Sequence, residues 1–142
     1  MRTVLGRLRD ALNDRDPDAM LECFHADYRS EQPAHPNRGF GGKEQVRKNW
    51  SEIFSQVPDI RAWVHRTAAH GDTLWTEWEM AGARQDGAPF LMRGVVIFGV
   101  AGGQLSSARF YLEPVETGSG DVDVHTRRVV GAPSGHAPTK QQ

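Results

Sequence analysis

Four runs of alternating character, 59–69, 73–82, 90–100 and 104–115, follow one another, separated by short stretches that contain "HGD", "RQDGAP" and "AGG". Side chains along a strand alternate faces with a period of two, and short connections of Gly, Asp and Pro suit hairpin turns. The spacing therefore predicts an antiparallel meander. One face of such a sheet has to be covered by something else in the chain.

The first half supplies the cover. Val4, Leu5, Leu8, Ala11 and Leu12 recur at the spacing of an amphipathic helix. In "NDRDPDAMLECF" Asp16 can cap a second helix and Pro17 fits its first turn, with Met20, Leu21 and Phe24 as the apolar side. From Lys43 to Val57 the apolar positions Val46, Trp50, Ile53, Phe54 and Val57 predict a third and clearest helix. "DYRSEQP" (27–33) reads as a strand with Tyr28, Ser30 and Gln32 on one face, ended by Pro33, and "AHPNRGFGG" (34–42) reads as loop. The fold class expected is α+β, with helices packed on one face of a curved, mostly antiparallel sheet.

A chain of 142 residues suits one domain. The 17 Lys and Arg against 18 Asp and Glu leave a net charge of −1, without the basic footprint of a nucleic-acid binder. The single cysteine, Cys23, lies among apolar residues and reads as a buried thiol. No apolar run has the length of a signal peptide or a membrane span, so a cytoplasmic protein without a membrane partner is expected. Residues 117–142 are rich in Gly, Ser, Pro and polar residues and read as a flexible tail, in which "VDVHTRRVV" is open to a short helix or an edge strand.

Several catalytic motifs are absent. "GFGGK" fails as a phosphate loop, with Asn37 where a Gly is needed and Glu44 where a Ser or Thr is needed. The six histidines show no zinc-binding helical pair, so neither metal nor cofactor is expected. No Gly-x-Ser-x-Gly elbow occurs. Among the histidines His35 stands apart, in a Pro-bounded loop just after a strand with a polar face.

The element order, together with "GGKEQVRKNWSEIF", "PDIRAWVHRTAAHGDTLWTEWEMAG" and "MRGVVIFGVAGGQLSSARFYLEPVE", resembles the SnoaL-like branch of the nuclear transport factor 2-like superfamily over residues 3–116. The resemblance implies a cone, in which the bent sheet wraps an apolar pocket and helices close the wide end. It implies no single activity, since the fold hosts cyclases, isomerases, epoxide hydrolases and noncatalytic proteins.

Strand alternation then sorts the side chains. The apolar sets, with Trp78 and Met80 on one strand, Met92 on the next and Phe110 on the last, should face the pocket, because burying unpaired charges is costly. Trp75, Glu77, Arg93, Val95, Arg109, Tyr111 and Glu113 then fall on the outer face, a mixture suited to a subunit interface. Relatives often dimerise through that face, so the resemblance also implies a homodimer. Catalytic relatives carry inward acids where this chain has Trp78, Met80 and Phe110. The expected site is therefore a pocket for a small hydrophobic ligand, lined by Ser30, Gln32, Trp50, Phe54, Trp78, Met80, Met92 and Phe110. If it is catalytic, Tyr28 is the acid and His35 the base, chemistry of the polyketide cyclase or ketosteroid isomerase class. The alternative is a noncatalytic module whose outer face pairs two copies.

Overall fold

The computed structural model describes residues 3–118 and 120–133. Helix α1 (Val4–Asn13) is capped by Thr3, whose hydroxyl accepts from the Gly6 amide at 3.1 Å. Helix α2 (Pro17–Leu21) starts on Asp16, which accepts from the Ala19 amide at 3.1 Å. Strand β1 (Phe24–Glu31) follows, then a 3-10 turn (Pro36–Arg38), strand β2 (Phe40–Gly41) and helix α3 (Lys43–Gln56). The meander consists of β3 (Arg61–His70), β4 (Thr73–Ala83), β5 (Pro89–Ala101) and β6 (Gln104–Pro114). Helix α4 (Val122–Val130) comes last, capped by Asp121.

The six strands form one sheet in the order β2-β1-β6-β5-β4-β3. The hairpins are antiparallel as their turns require, and β1 joins the far side of the meander parallel to β6. The α+β class is as expected, and two details differ. The segment 34–42 is not all loop, since it holds the 3-10 turn and β2. Phe24 belongs to β1 instead of α2, because that helix ends at Leu21. Of the two forms open to "VDVHTRRVV" the helix is the one found, with no buried residue, and the expected tail from Ser134 onward lies outside the described residues.

Burial confirms which way the strands face. Thr76, Trp78 and Met80 of β4, Val96 and Phe98 of β5, and Leu105 and Ala108 of β6 are buried. Trp75 and Tyr111, one residue out of phase, remain 48% and 42% exposed. The helices pack on the buried side. Leu5, Leu8 and Leu12 of α1 and Val46 of α3 share one apolar core with Trp78, Met80 and Phe98. Asn13 pins α1 to β3, its Nδ2 donating to the Ala62 carbonyl at 3.1 Å and its Oδ1 accepting from the Ala62 amide at 2.7 Å. Such a reciprocal pair satisfies a backbone unit at the start of an edge strand.

Candidate functional site

The core does not fill the cone. A cavity of about 330 Å³ remains between the concave face of the sheet and the helices. Its deep walls are apolar: Trp78, Met80, Val96, Phe98 and Phe110 from the sheet, and Trp50 and Ile53 from α3. Polar lining comes from Tyr28, Ser30 and Gln32 of β1 and its exit, and from Arg38, Asn49 and Glu113. Few polar groups in an apolar chamber of this size is the composition of a small-molecule site.

Tyr28 and Ser30 stand on the inward side of β1, as alternation from Tyr28 predicts, and are 2% and 3% exposed. Phe24 packs edge-on to the Tyr28 ring with centroids 4.7 Å apart, and Phe40 stands at 6.3 Å. Burial pushes the Tyr28 hydroxyl up to about 12, and a hydrogen bond with Ser30 offsets part of that rise. The phenol is therefore neutral at every ordinary pH, a hydrogen-bond donor in an apolar chamber. Trp78 offers no such group to a ligand. Its indole Nε1 donates to Thr76 Oγ1 at 2.8 Å, and that hydroxyl donates to the Val96 carbonyl at 2.6 Å.

Most of the residues expected to line the pocket do so: Ser30, Gln32, Trp50, Trp78, Met80, Met92 and Phe110. Phe54 does not. It stands at the edge of the α3 apolar stripe and packs beside Trp50, ring centroids 5.6 Å apart, while Val46, Trp50 and Ile53 face the chamber. His35 is not in the wall either. It sits at the mouth, where Nε2 lies 3.2 and 3.1 Å from the two carboxylate oxygens of Glu113.

Glu113 borders both the outer face and the cavity. Alternation puts it on the outer face opposite Arg93, and the backbone register agrees, pairing Arg93 with Glu113. Glu113 is nevertheless among the residues that line the cavity, between Leu112 and Pro114. Strand β1 pairs in parallel with β6, with Glu31 beside Arg109. The chain leaving β1 therefore runs beside the end of β6 and brings His35 onto Glu113. Arg93 turns to Glu79 instead, at 3.8 Å. Arg38 and Asn49 also reach the mouth unforeseen, Arg38 through the 3-10 turn and Asn49 one residue before Trp50 on α3.

The rest of the outer face matches the expected set. Trp75, Tyr111 and, on β3, Trp63 are exposed. Around them Arg66 pairs with Glu77 at 3.1 Å, His65 with Glu79 at 2.9 Å and Arg109 with Glu31 at 3.6 Å. Val95 is partly buried among them. Among the described residues no group of three His, Cys, Asp or Glu could hold a metal ion, and no helix is long and apolar enough to cross a membrane.

The SnoaL-like domain model matches residues 5–108, which is most of the cone. The chain belongs to the SnoaL-like family. Solved structures agree on the fold. A nuclear transport factor 2-like protein of unknown function from Exiguobacterium sp. 255-15 superposes with a TM-score of 0.66 at 20% identity, covering 81% of this chain and 100% of that one. A candidate SnoaL-like polyketide cyclase from Jannaschia sp. CCS1 gives 0.66 at 20% identity, covering 92% of this chain and 91% of its own. An LEH-like epoxide hydrolase from M. tuberculosis gives 0.66 at 18% identity, covering 78% and 80%. At such identities the likeness is one of fold. No curated protein matches the chain.

Proposed function

We propose that this SnoaL-like cone binds, and is equipped to transform, a small hydrophobic molecule that carries an oxygen acceptor. The observation that supports this is a buried, neutral Tyr28 in the wall of a mostly apolar cavity of about 330 Å³. A ketone or enol ether reaching into the cone would replace water at that donor, where a hydrogen bond is stronger than in bulk solvent. Chemistry of the cyclase or isomerase class would draw on Tyr28 as donor to a developing enolate. The His35–Glu113 pair at the mouth would serve as the proton acceptor. The pair would stand in for the inward acid that the family resemblance implies for catalytic relatives where Phe110 stands.

The test compares 2-acetylnaphthalene with 2-ethylnaphthalene, followed by quenching of tryptophan fluorescence, since Trp50 and Trp78 both line the chamber. The ketone should bind about tenfold tighter than the hydrocarbon, a difference of about one hydrogen bond in a buried site. Tyr28→Phe should erase that difference and leave the hydrocarbon unchanged. Equal binding of both to the wild type, or binding of neither, contradicts the reading.

The outer face supports a second role. Trp63, Trp75 and Tyr111 are each more than 40% exposed on one side of the sheet, set among Arg–Glu and His–Glu pairs. A second copy of the chain meeting this face would bury the aromatics and match charges across the interface. Sedimentation velocity at micromolar concentration should then show a dimer. Arg93→Glu should weaken it by roughly tenfold or more through like-charge contacts, without altering binding of 2-acetylnaphthalene. A monomeric wild type contradicts this role and leaves the pocket reading intact.

A further inference from the structure

We propose that the occupant of the cone carries an anionic head, a carboxylate on an apolar body, and that this head docks on Arg38 and Asn49 at the mouth. The inference rests on the pocket reading above and adds the chemical class of the ligand to it.

The lining contains two charged residues, Arg38 and Glu113. They are not equivalent. Both carboxylate oxygens of Glu113 lie within 3.2 Å of His35 Nε2, so that charge already has a partner. Arg38 makes no ion pair among the described residues. Among the described residues its guanidinium makes one hydrogen bond, from Nη1 to the neutral Gln32 Oε1 at 3.3 Å, longer than a good N–H···O bond. A guanidinium has five N–H donors arranged as a fork that matches a carboxylate, and four of them remain here. The backbone holds the residue at the rim. Pro36 opens the 3-10 turn, and the Arg38 amide donates to the His35 carbonyl at 2.9 Å.

Asn49 adds a second donor from α3. Its Oδ1 accepts from Gln45 Nε2 at 2.7 Å, which leaves the Asn49 amide nitrogen as the group available to a ligand. The mouth therefore offers donors from both β1's exit and α3, above apolar walls of Trp50, Met92 and Phe110. An acceptor-rich, negatively charged head on an apolar body fits that division. A cationic head would meet Arg38 as a like charge, and an alcohol would use only one arm of the fork.

The experiment titrates the full chain with decanoate and with 1-decanol by calorimetry at neutral pH, below the concentration at which either aggregates. Competition with 2-acetylnaphthalene reports whether each enters the cone. Decanoate is expected to bind about tenfold tighter than decanol, the difference that a charge-assisted contact makes at a partly exposed rim. Arg38→Met should abolish the preference and leave decanol affinity unchanged. Its melting temperature should match the wild type, because Arg38 is exposed. Equal affinity of the two ligands, or a preference that survives Arg38→Met, overturns the anionic head while the pocket stands. Failure of decanoate, decanol and 2-acetylnaphthalene alike overturns both. Decanoate binding that does not compete with 2-acetylnaphthalene places the acid elsewhere and overturns the docking site alone.

Discussion

Gly94→Ala should lower the melting temperature by about 10 °C, equivalent to a loss of about 3 kcal/mol in a chain of this size. Gly94 sits in the middle of β5 with φ of 153°, outside the range that strand residues with a Cβ normally adopt. A Cβ placed there would come within 2.1 Å of the Tyr111 carbonyl oxygen and 2.8 Å of Leu112 Cα. Those are backbone atoms of β6, which cannot rotate away as a side chain could. The two strands have to separate where the sheet wraps the cavity, between Trp78 on one side and Leu112 on the other. Thermal melts followed by circular dichroism check the loss. A variant as stable as the wild type would mean that the β5–β6 contact is looser than the register implies. Gly102, in the β5–β6 turn, has φ of 59° but nothing within 4 Å, so Gly102→Ala should cost less than Gly94→Ala.

Tyr28→Phe should change how stability responds to alkaline pH. The folded-state value near 12 lies above the ordinary value near 10, because burial penalises the phenolate. Between those limits the unfolded chain releases a proton that the native chain retains, so stability falls as pH rises. The contribution of the neutral phenol is present in full below pH 10 and is lost as pH climbs through 12. The slope is about 1.4 kcal/mol per pH unit in that window. At neutral pH the Phe variant should be less stable by about 1 kcal/mol, since Ser30 loses its partner in a buried site. By pH 11 the gap should have closed or reversed, because the variant has no such proton to lose. Paired melts at pH 8 and pH 11 cancel the groups common to both proteins. A gap that stays constant would show that Tyr28 is more hydrated than its 2% exposure indicates.

Much of the architecture was legible in the sequence because sheet and helix each impose a period. Trp78 and Met80 alternate with the charged Glu77 and Glu79, and Val96 and Phe98 alternate with the less buried Val95 and Ile97. The structure buries Trp78, Met80, Val96 and Phe98 as alternation requires. Tyr28 and Ser30 were placed correctly for the same reason. Period alone cannot report which strands become neighbours. The parallel union of β1 and β6 joins residues far apart in the chain, and it is what carries His35 to Glu113. Glu113 therefore looked like one more outer-face carboxylate. Phe54 shows the limit within a helix: its offset from Val46 marks the apolar stripe, but the edge of a stripe packs on neighbours while its centre faces the chamber. Arg38 was hidden in a stretch too short for periodicity, where a 3-10 turn and a two-residue strand replaced the expected loop.

A diffraction structure of crystals grown with 2-acetylnaphthalene bears most directly on whether the cone is a ligand chamber. The naphthalene ring should lie between Trp78, Phe98 and Phe110, with the ketone oxygen within hydrogen-bond distance of the Tyr28 hydroxyl. A cone closed by its own side chains, with the ketone absent or bound only on the outer sheet face beside Trp75, would contradict that claim.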